Sequence, residues 1–205
     1  MTTPLSFCPH RRTARAVALS VLVALGLVAT TSTALEQWDQ LDEARQVRIL
    51  FRLLSYDRAL PEAAKDGLHL TVLSAPNHAP ARANTEALQR AIERYRHDSL
   101  DPLPVTTTEV AFESLKSLER TLRESHTDLL YVTPGLGSKL PGIGAITRKL
   151  GILSITGSRR FVEHGLAVGL GRQGDRPRIC VNLTALRSEG HDLPAKVLRL
   201  CQVYR

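Results

Sequence analysis

The chain predicts an α/β fold: a mainly parallel sheet with helices on both faces and a C-terminal antiparallel hairpin, arranged as a Rossmann-like single domain. Three observations carry this reading. Short apolar runs (LHLTVL, DLLYVT, GILSIT) recur between stretches whose apolar residues fall at three- and four-residue spacing. Proline and glycine punctuate most of the junctions. Near the C terminus, two strand-like runs flank Gln173-Gly-Asp-Arg, a turn sequence that folds a chain back on itself.

The elements follow in order. Trp38 to Arg58 reads as a helix, with Leu41, Ala44, Val47, Leu50 and Leu54 on one side. Pro61 ends that region, and Leu68 to Leu73 is the first strand. After the turn-rich Ser74 to Pro80, Ala81 to His97 is helical, until Asp101-Pro-Leu-Pro breaks it. The valines and threonines of Val105 to Val110 suit a strand. Ala111 to Ser125 carries Phe112, Leu115, Leu118 and Leu122 at helical spacing. Asp128 to Thr133 is the clearest strand, and Pro134-Gly-Leu-Gly leads from it to a weaker helix at Gly144 to Leu150. Gly151 to Thr156 is a second strong strand, followed by a helical turn at Ser158 to Glu163. Leu166 to Gly171 and Arg178 to Leu183 form the hairpin, placed at one edge of the sheet. Thr184 to Gly190 and Leu193 to Val203 read as terminal helical segments.

The first 34 residues have a different character. Arg11, Arg12 and Arg15 form a positive region with no acid near it, and Ala16 to Ala29 is apolar or small throughout. Ser32-Thr33-Ala34 then offers small residues where a signal peptidase cuts. The apolar run is shorter than the ~20 residues a spanning helix takes. The expectation is a signal peptide over 1–34, cleaved near Ala34, with an uncleaved anchor as the alternative, and an exported domain over 35–205 working outside the cytoplasm. Cys8 precedes the apolar run, so it is not a lipid-attachment cysteine and is lost with the signal.

Cleavage also changes the charge. Three of the 27 basic residues precede Ala34 and all 20 acidic residues follow it, so the exported part is less basic than the formal +7. Only 4% of the residues are aromatic, which argues against a stacking platform for nucleic acid. Cys180 and Cys201 remain after cleavage, and two readings stay open for them: one disulfide, as an oxidising compartment favours, or two small buried residues that never meet. No CxxC or HxxxH spacing accompanies them, so no metal is expected, and no cofactor motif is complete.

No catalytic set stands out. The histidines are scattered, mostly at element ends. His78 is the best placed, because it follows the C-terminal end of a strand, where open α/β sheets bind ligands. Gly135-Leu-Gly-Ser superficially resembles a phosphate loop but lacks both complete glycine motifs; Thr133, Ser138 and nearby backbone N–H groups are candidate anion contacts. Arg159 and Arg160 beside Ser158 form a small basic rim suited to a partner or to plain solubility. Asn182 reads as a helix cap. Ser158 in TGSRR lacks the second glycine of a GxSxG elbow, which leaves a hydrolase with little support.

The C-terminal third, GILSITGSRRFVEHGLAVGLGRQGDRPRICVNLTALRSEGHDLPAKVLRLCQVY, resembles the YfiR family of periplasmic proteins. The matching parts are the strand Ile152 to Thr156, the turn Phe161 to Gly165, and the strand Ala167 to Leu170. They continue with Ile179 to Leu183, which contains Asn182, and Ala185 to Leu200. DLLYVT and VRILFRLLSYDRALP fit the family's upstream strand and first helix, so the likeness spans roughly residues 44 to 204 and is strongest after Asp128. This chain departs from the pattern in reading Tyr56-Asp57-Arg58-Ala59-Leu60-Pro61 where the family has Trp-Pro, and in carrying Leu166 for the second glycine of a pair. The cysteines of the best-known members are not evident at matching places.

The resemblance implies a non-catalytic regulator. Its partner would be the periplasmic domain of an inner-membrane signalling protein, such as a diguanylate cyclase or a sensor kinase. A homodimer is a further candidate assembly. The competing reading is a periplasmic small-ligand binding protein, which a single small lobe disfavours. Mass spectrometry of exported material should find a mature N terminus near Leu35; an exported chain still beginning at Met1 would refute cleavage.

Overall fold

The computed structural model describes residues 38–95 and 104–205. The signal region, His97 and all of the Asp101-Pro-Leu-Pro break but Pro104 lie outside the described residues.

The chain order is β1 (Trp38–Gln40), α1 (Glu43–Leu54), α2 (Leu60–Ala63), β2 (Leu68–Ser74), α3 (Ala79–Tyr95), β3 (Val105–Ala111), α4 (Leu115–Glu124) and β4 (Leu129–Val132). A 3-10 turn (Gly137–Lys139) leads into α5 (Leu140–Leu150), β5 (Leu153–Thr156), α6 (Arg159–Glu163), β6 (Val168–Gln173) and β7 (Arg176–Asn182). The chain closes with α7 (Leu183–Ser188), α8 (Ala195–Leu198) and β8 (Gln202–Tyr204). The described strands form one sheet in the order β3-β2-β4-β5-β6-β7-β8, with β1 paired to β6. All pairings are parallel except the β6–β7 hairpin and β1–β6.

The expected α/β architecture is present, because β2, β4 and β5 are apolar runs that need cover on both faces. Leu129 and Tyr131 of β4 join one core with α1 and α3, while Leu130 and Val132 join the other with α4 and α5. A strand's period of two sends alternate residues to opposite faces, which makes two cores from one strand. Beside the hairpin, Gly169 of β6 is needed for packing: a Cβ there would lie 2.6 Å from Cγ2 of Val162 in α6.

Several boundaries differ from the sequence reading. Trp38 to Gln40 is not the start of a helix; it is β1, paired with Gly171 to Gln173. The helix begins only at Glu43, where the Asp42 carboxylate accepts the Arg45 N–H at 3.0 Å. Ala111 belongs to β3, and α4 starts three residues beyond Phe112, capped by Ser114. Helix α5 begins at Leu140, earlier than Gly144, with Pro141 in its first turn, and ends at Gly151 in the left-handed region (φ 68°). Pro61 starts the short helix α2 rather than closing the region. Leu193 to Val203 is not one helix: α8 spans four residues, and Gln202 to Tyr204 turn into β8. That strand pairs with β7, so the hairpin is not the edge.

Cys180 and Cys201 are free thiols. Cys180 lies beside Gly169 and donates to Gln202 Oε1 at 3.6 Å. Cys201 packs on the α1–α3 core and donates to the Val197 carbonyl at 3.3 Å. Burial pushes each thiol up to about 11, away from the reactive thiolate form.

A buried polar clamp joins the end of α1 to the chain after α7. His191 Nδ1 lies 2.5 Å from Asp57 Oδ2, and both side chains are almost fully buried. Asp57 Oδ1 also accepts the N–H groups of Ala59 and Asp192 at 3.0 and 3.1 Å. Burial alone would raise this carboxyl, but the His191 contact and the two N–H donors hold it below its ordinary 3.8. A depressed carboxyl contributes stability that is full above its unfolded pKa and lost as the pH falls through the folded value. Asp57→Asn should therefore cost about 1–3 kcal/mol at neutral pH in urea titrations. It should also flatten the loss of stability below about pH 4. An unchanged acid limb would contradict the clamp.

Candidate functional site

The sheet has a switch point between β2 and β4. From β2 the chain runs outward through α3 to β3, then returns through α4 to β4 on the other side of β2. Crevices at such points, outside the C-terminal strand ends, are where open α/β sheets take ligands. The flanks here are Ala75 to His78 after β2, Thr133 to Gly135 after β4, and Gly157 after β5.

Two of the residues singled out in the sequence, His78 and Thr133, lie on these flanks. A Cβ on Gly135 (φ 96°) would lie 3.0 Å from Cγ of His78 and 3.0 Å from Cβ of Ala75, so the imidazole packs directly on the β4 turn. His78 Nδ1 is buried with no hydrogen-bond partner. Thr133 is fully buried, and both its hydroxyl and its N–H donate to the Leu73 carbonyl, at 2.8 and 3.1 Å. It ties β4 to β2 and does not point outward as an anion contact would.

The other three sit apart. Ser138 is exposed on the 3-10 turn. Arg159 is engaged: its Nε lies 2.9 Å from Glu163 Oε1 and 2.8 Å from the Tyr204 hydroxyl, tying α6 to β8. Arg160 is exposed, and its carbonyl lies 2.7 Å from His164 Nδ1. The expected basic rim is thus split between an inward strut and a solvated side chain.

Sequence reasoning missed the polar network beneath the crevice. Tyr131, fully buried in β4, donates its hydroxyl to Gln46 Oε1 at 2.7 Å, and Gln46 Nε2 donates to the Leu41 carbonyl at 2.6 Å. Asn84 Nδ2 donates to Glu43 Oε1 at 2.7 Å, while Asn84 Oδ1 is buried with no partner. Desolvation drives the Tyr131 phenol well above its usual range, with Glu43 adding to the effect. Gly157 makes room for it, since a Cβ there would lie 3.0 Å from the phenol oxygen. The sequence signal was present but quiet: a tyrosine inside DLLYVT must find a partner for its hydroxyl once the strand is buried.

A second feature lies on the α1 side of the sheet. A groove of about 560 Å³ runs between α1, β7 and the residues around α8. Ile49, Leu53, Tyr56, Ile179 and Val197 make its apolar floor. Arg45, Arg48 and Arg52 line it, Arg45 being paired with Asp42 at 3.4 Å, and among the described residues no carboxylate does. Arg52 and Lys196 both stand over the Tyr56 ring, at 5.7 and 5.3 Å. Leu200, 77% exposed, stands at its margin.

Among the described residues, no group of three or more His, Cys, Asp or Glu side chains is placed to hold a metal ion. Nor is any described helix long and apolar enough to cross a membrane.

A family model described as YfiR/HmsC-like matches residues 43–202. No curated protein matches the chain. Solved structures with a similar fold include a conserved domain protein from Vibrio cholerae O1 biovar El Tor, at 14% identity and a TM-score of 0.61, covering 82% of this chain and 61% of that one. Another is the ligand-free, open form of CD0873, a substrate binding protein with adhesive properties from Clostridium difficile (15% identity, TM-score 0.53, 72% and 57% covered). A third is the ABC domain in complex with L-Trp from Streptococcus pneumoniae (14% identity, TM-score 0.54, 80% and 60% covered). This chain spans about three fifths of each, and at such identities the likeness is one of fold.

Tyr131→Phe should leave Gln46 Oε1 buried without its donor and cost about 1–2 kcal/mol in urea titration, with the fold unchanged by circular dichroism. A variant as stable as the parent would show that the phenol does not anchor the network.

Proposed function

We propose, from the premise that the chain belongs to the YfiR/HmsC-like family, that it is an exported regulatory binding protein acting on the periplasmic domain of an inner-membrane signalling protein. The family is regulatory and periplasmic, and the export signal read over residues 1–34 agrees with that setting.

The observation that carries the reading is the groove between α1 and β7. An apolar floor open to solvent loses free energy when another surface covers it, by roughly 25 cal/mol per Å² of apolar area. The arginines above it select the cover. They favour an apolar segment with acidic flanks and repel a basic one, which gives orientation and speed of encounter. Arginine and tyrosine are also the side chains that most often dominate protein interfaces. The occupant is therefore an acidic, apolar stretch of the signalling protein's periplasmic domain.

The switch-point crevice supports a second reading, a small polar ligand. Asn84 Oδ1 and His78 Nδ1 are buried acceptor or donor atoms without partners, and such atoms are costly unless something meets them.

Affinity capture from a cross-linked envelope fraction separates the two. The parent chain should retain a membrane protein with a signalling domain, Arg48→Glu should lose it, and Lys116→Glu on the α4 face should keep it. Equal capture by all three chains, or none of a membrane signalling protein, would defeat the docking reading. A rise in melting temperature with a small polar solute, alongside failed capture, would point to the crevice.

A further inference from the structure

We propose that the groove beside α1 binds a free fatty acid, its carboxylate between Arg52 and Lys196 at Tyr56 and its alkyl tail along Ile49, Leu53, Ile179 and Val197. The floor those four residues make is apolar and open to solvent. Its volume of about 560 Å³ lies within the range of small-molecule sites, about 300–1,000 Å³. A flexible alkyl tail suits a shallow floor drawn from a helix, a strand and a turn, because it needs no hydrogen-bond partner along its length. The part of α1 that borders the groove, Arg45 to Leu53, is about 12 Å long at about 1.5 Å per residue, enough to back a medium-length chain.

The positive charge of the groove is concentrated at one end. Arg45 is paired with Asp42 at 3.4 Å, and Arg48 stands over Tyr95 at 5.8 Å. Arg52 and Lys196 both stand over Tyr56, at 5.7 and 5.3 Å from the ring centre. A phenol ring holds cations through its quadrupole and carries no net charge, so it gathers two positive charges without neutralising either. Among the described residues, neither cation is ion-paired with a carboxylate. The nearest acids along the chain are engaged, Asp57 with His191 and Asp192 with Arg58. An anion placed between Arg52 and Lys196 relieves their mutual repulsion and takes a forked pair of bonds from the guanidinium. A neutral or cationic head would gain neither.

This inference deepens the docking reading and rests on it for one consequence: a single floor cannot carry two covers, so a fatty acid displaces the partner and makes docking respond to free lipid. Binding itself needs no partner and is measured on the purified exported chain. In titration calorimetry below micelle-forming concentrations, dodecanoate should bind one to one. Dodecyltrimethylammonium, with the same tail and the opposite charge, should bind at least about ten-fold more weakly. Octanoate, four methylenes shorter, should also lose at least about ten-fold. Arg52→Glu combined with Lys196→Glu alters two exposed side chains and should invert the preference, so that dodecyltrimethylammonium binds better than dodecanoate. Unfolding cannot mimic that inversion. Lys116→Glu on α4 should change neither affinity. Absence of dodecanoate binding, or binding that every chain shares equally, would overturn the proposal even where capture of a signalling protein succeeds. Selective binding of dodecanoate where capture fails would support the fatty-acid site and count against the docking reading alone.

Discussion

The fold depends on strand β4 being buried on both faces and hydrogen-bonded on both sides. Leu129 to Val132 are all buried, with β2 on one side and β5 on the other. Its alternating side chains seed both cores, so α1 and α3 pack one face while α4 and α5 pack the other. No polar side chain can sit in such a strand without an internal partner. Tyr131 therefore draws Gln46 from α1 toward it, and Gln46 in turn holds the Leu41 carbonyl. The network at the switch point follows from placing one phenol in the most enclosed strand of the sheet.

Much of this architecture is legible in the sequence. Parallel strands covered on both faces read as continuous apolar runs, and LHLTVL, DLLYVT and GILSIT are runs of that kind. What escapes local reading is decided at a distance. Trp38 to Gln40 and Gln202 to Tyr204 are three-residue strands, too short to show a period, and exist because β6 and β7 offer unpaired edges. The buried Glu189 is equally silent in the sequence. It follows α7 as one acid among many, yet it accepts from Thr147 Oγ1, Ser154 Oγ and the Ser154 N–H.

The candidate sites divide the same way. The position of His78 is legible because it follows the end of a strand, and the structure sets it against Gly135. Arg159 looked like a surface charge because its partner, Tyr204, is 45 residues away. The arginine-lined groove was invisible as a unit. Arg45, Arg48 and Arg52 share one side of α1, but the apolar floor beside them comes partly from β7 and α8, more than 120 residues downstream. Helical spacing reveals a stripe of charge, and only tertiary packing shows what lies next to it.

The two thiols carry a further implication. Cys180 and Cys201 sit in adjoining strands' reach yet are held by different neighbours, one by Gln202 and the other by Val197. The native state has no covalent cross-link between them. The last strand is therefore held to β7 by backbone pairing and packing, and not by a covalent bridge. Cys180 is fully buried and Cys201 half-buried, and that cover keeps both sulfurs in the protonated, slowly oxidised form even in an oxidising compartment.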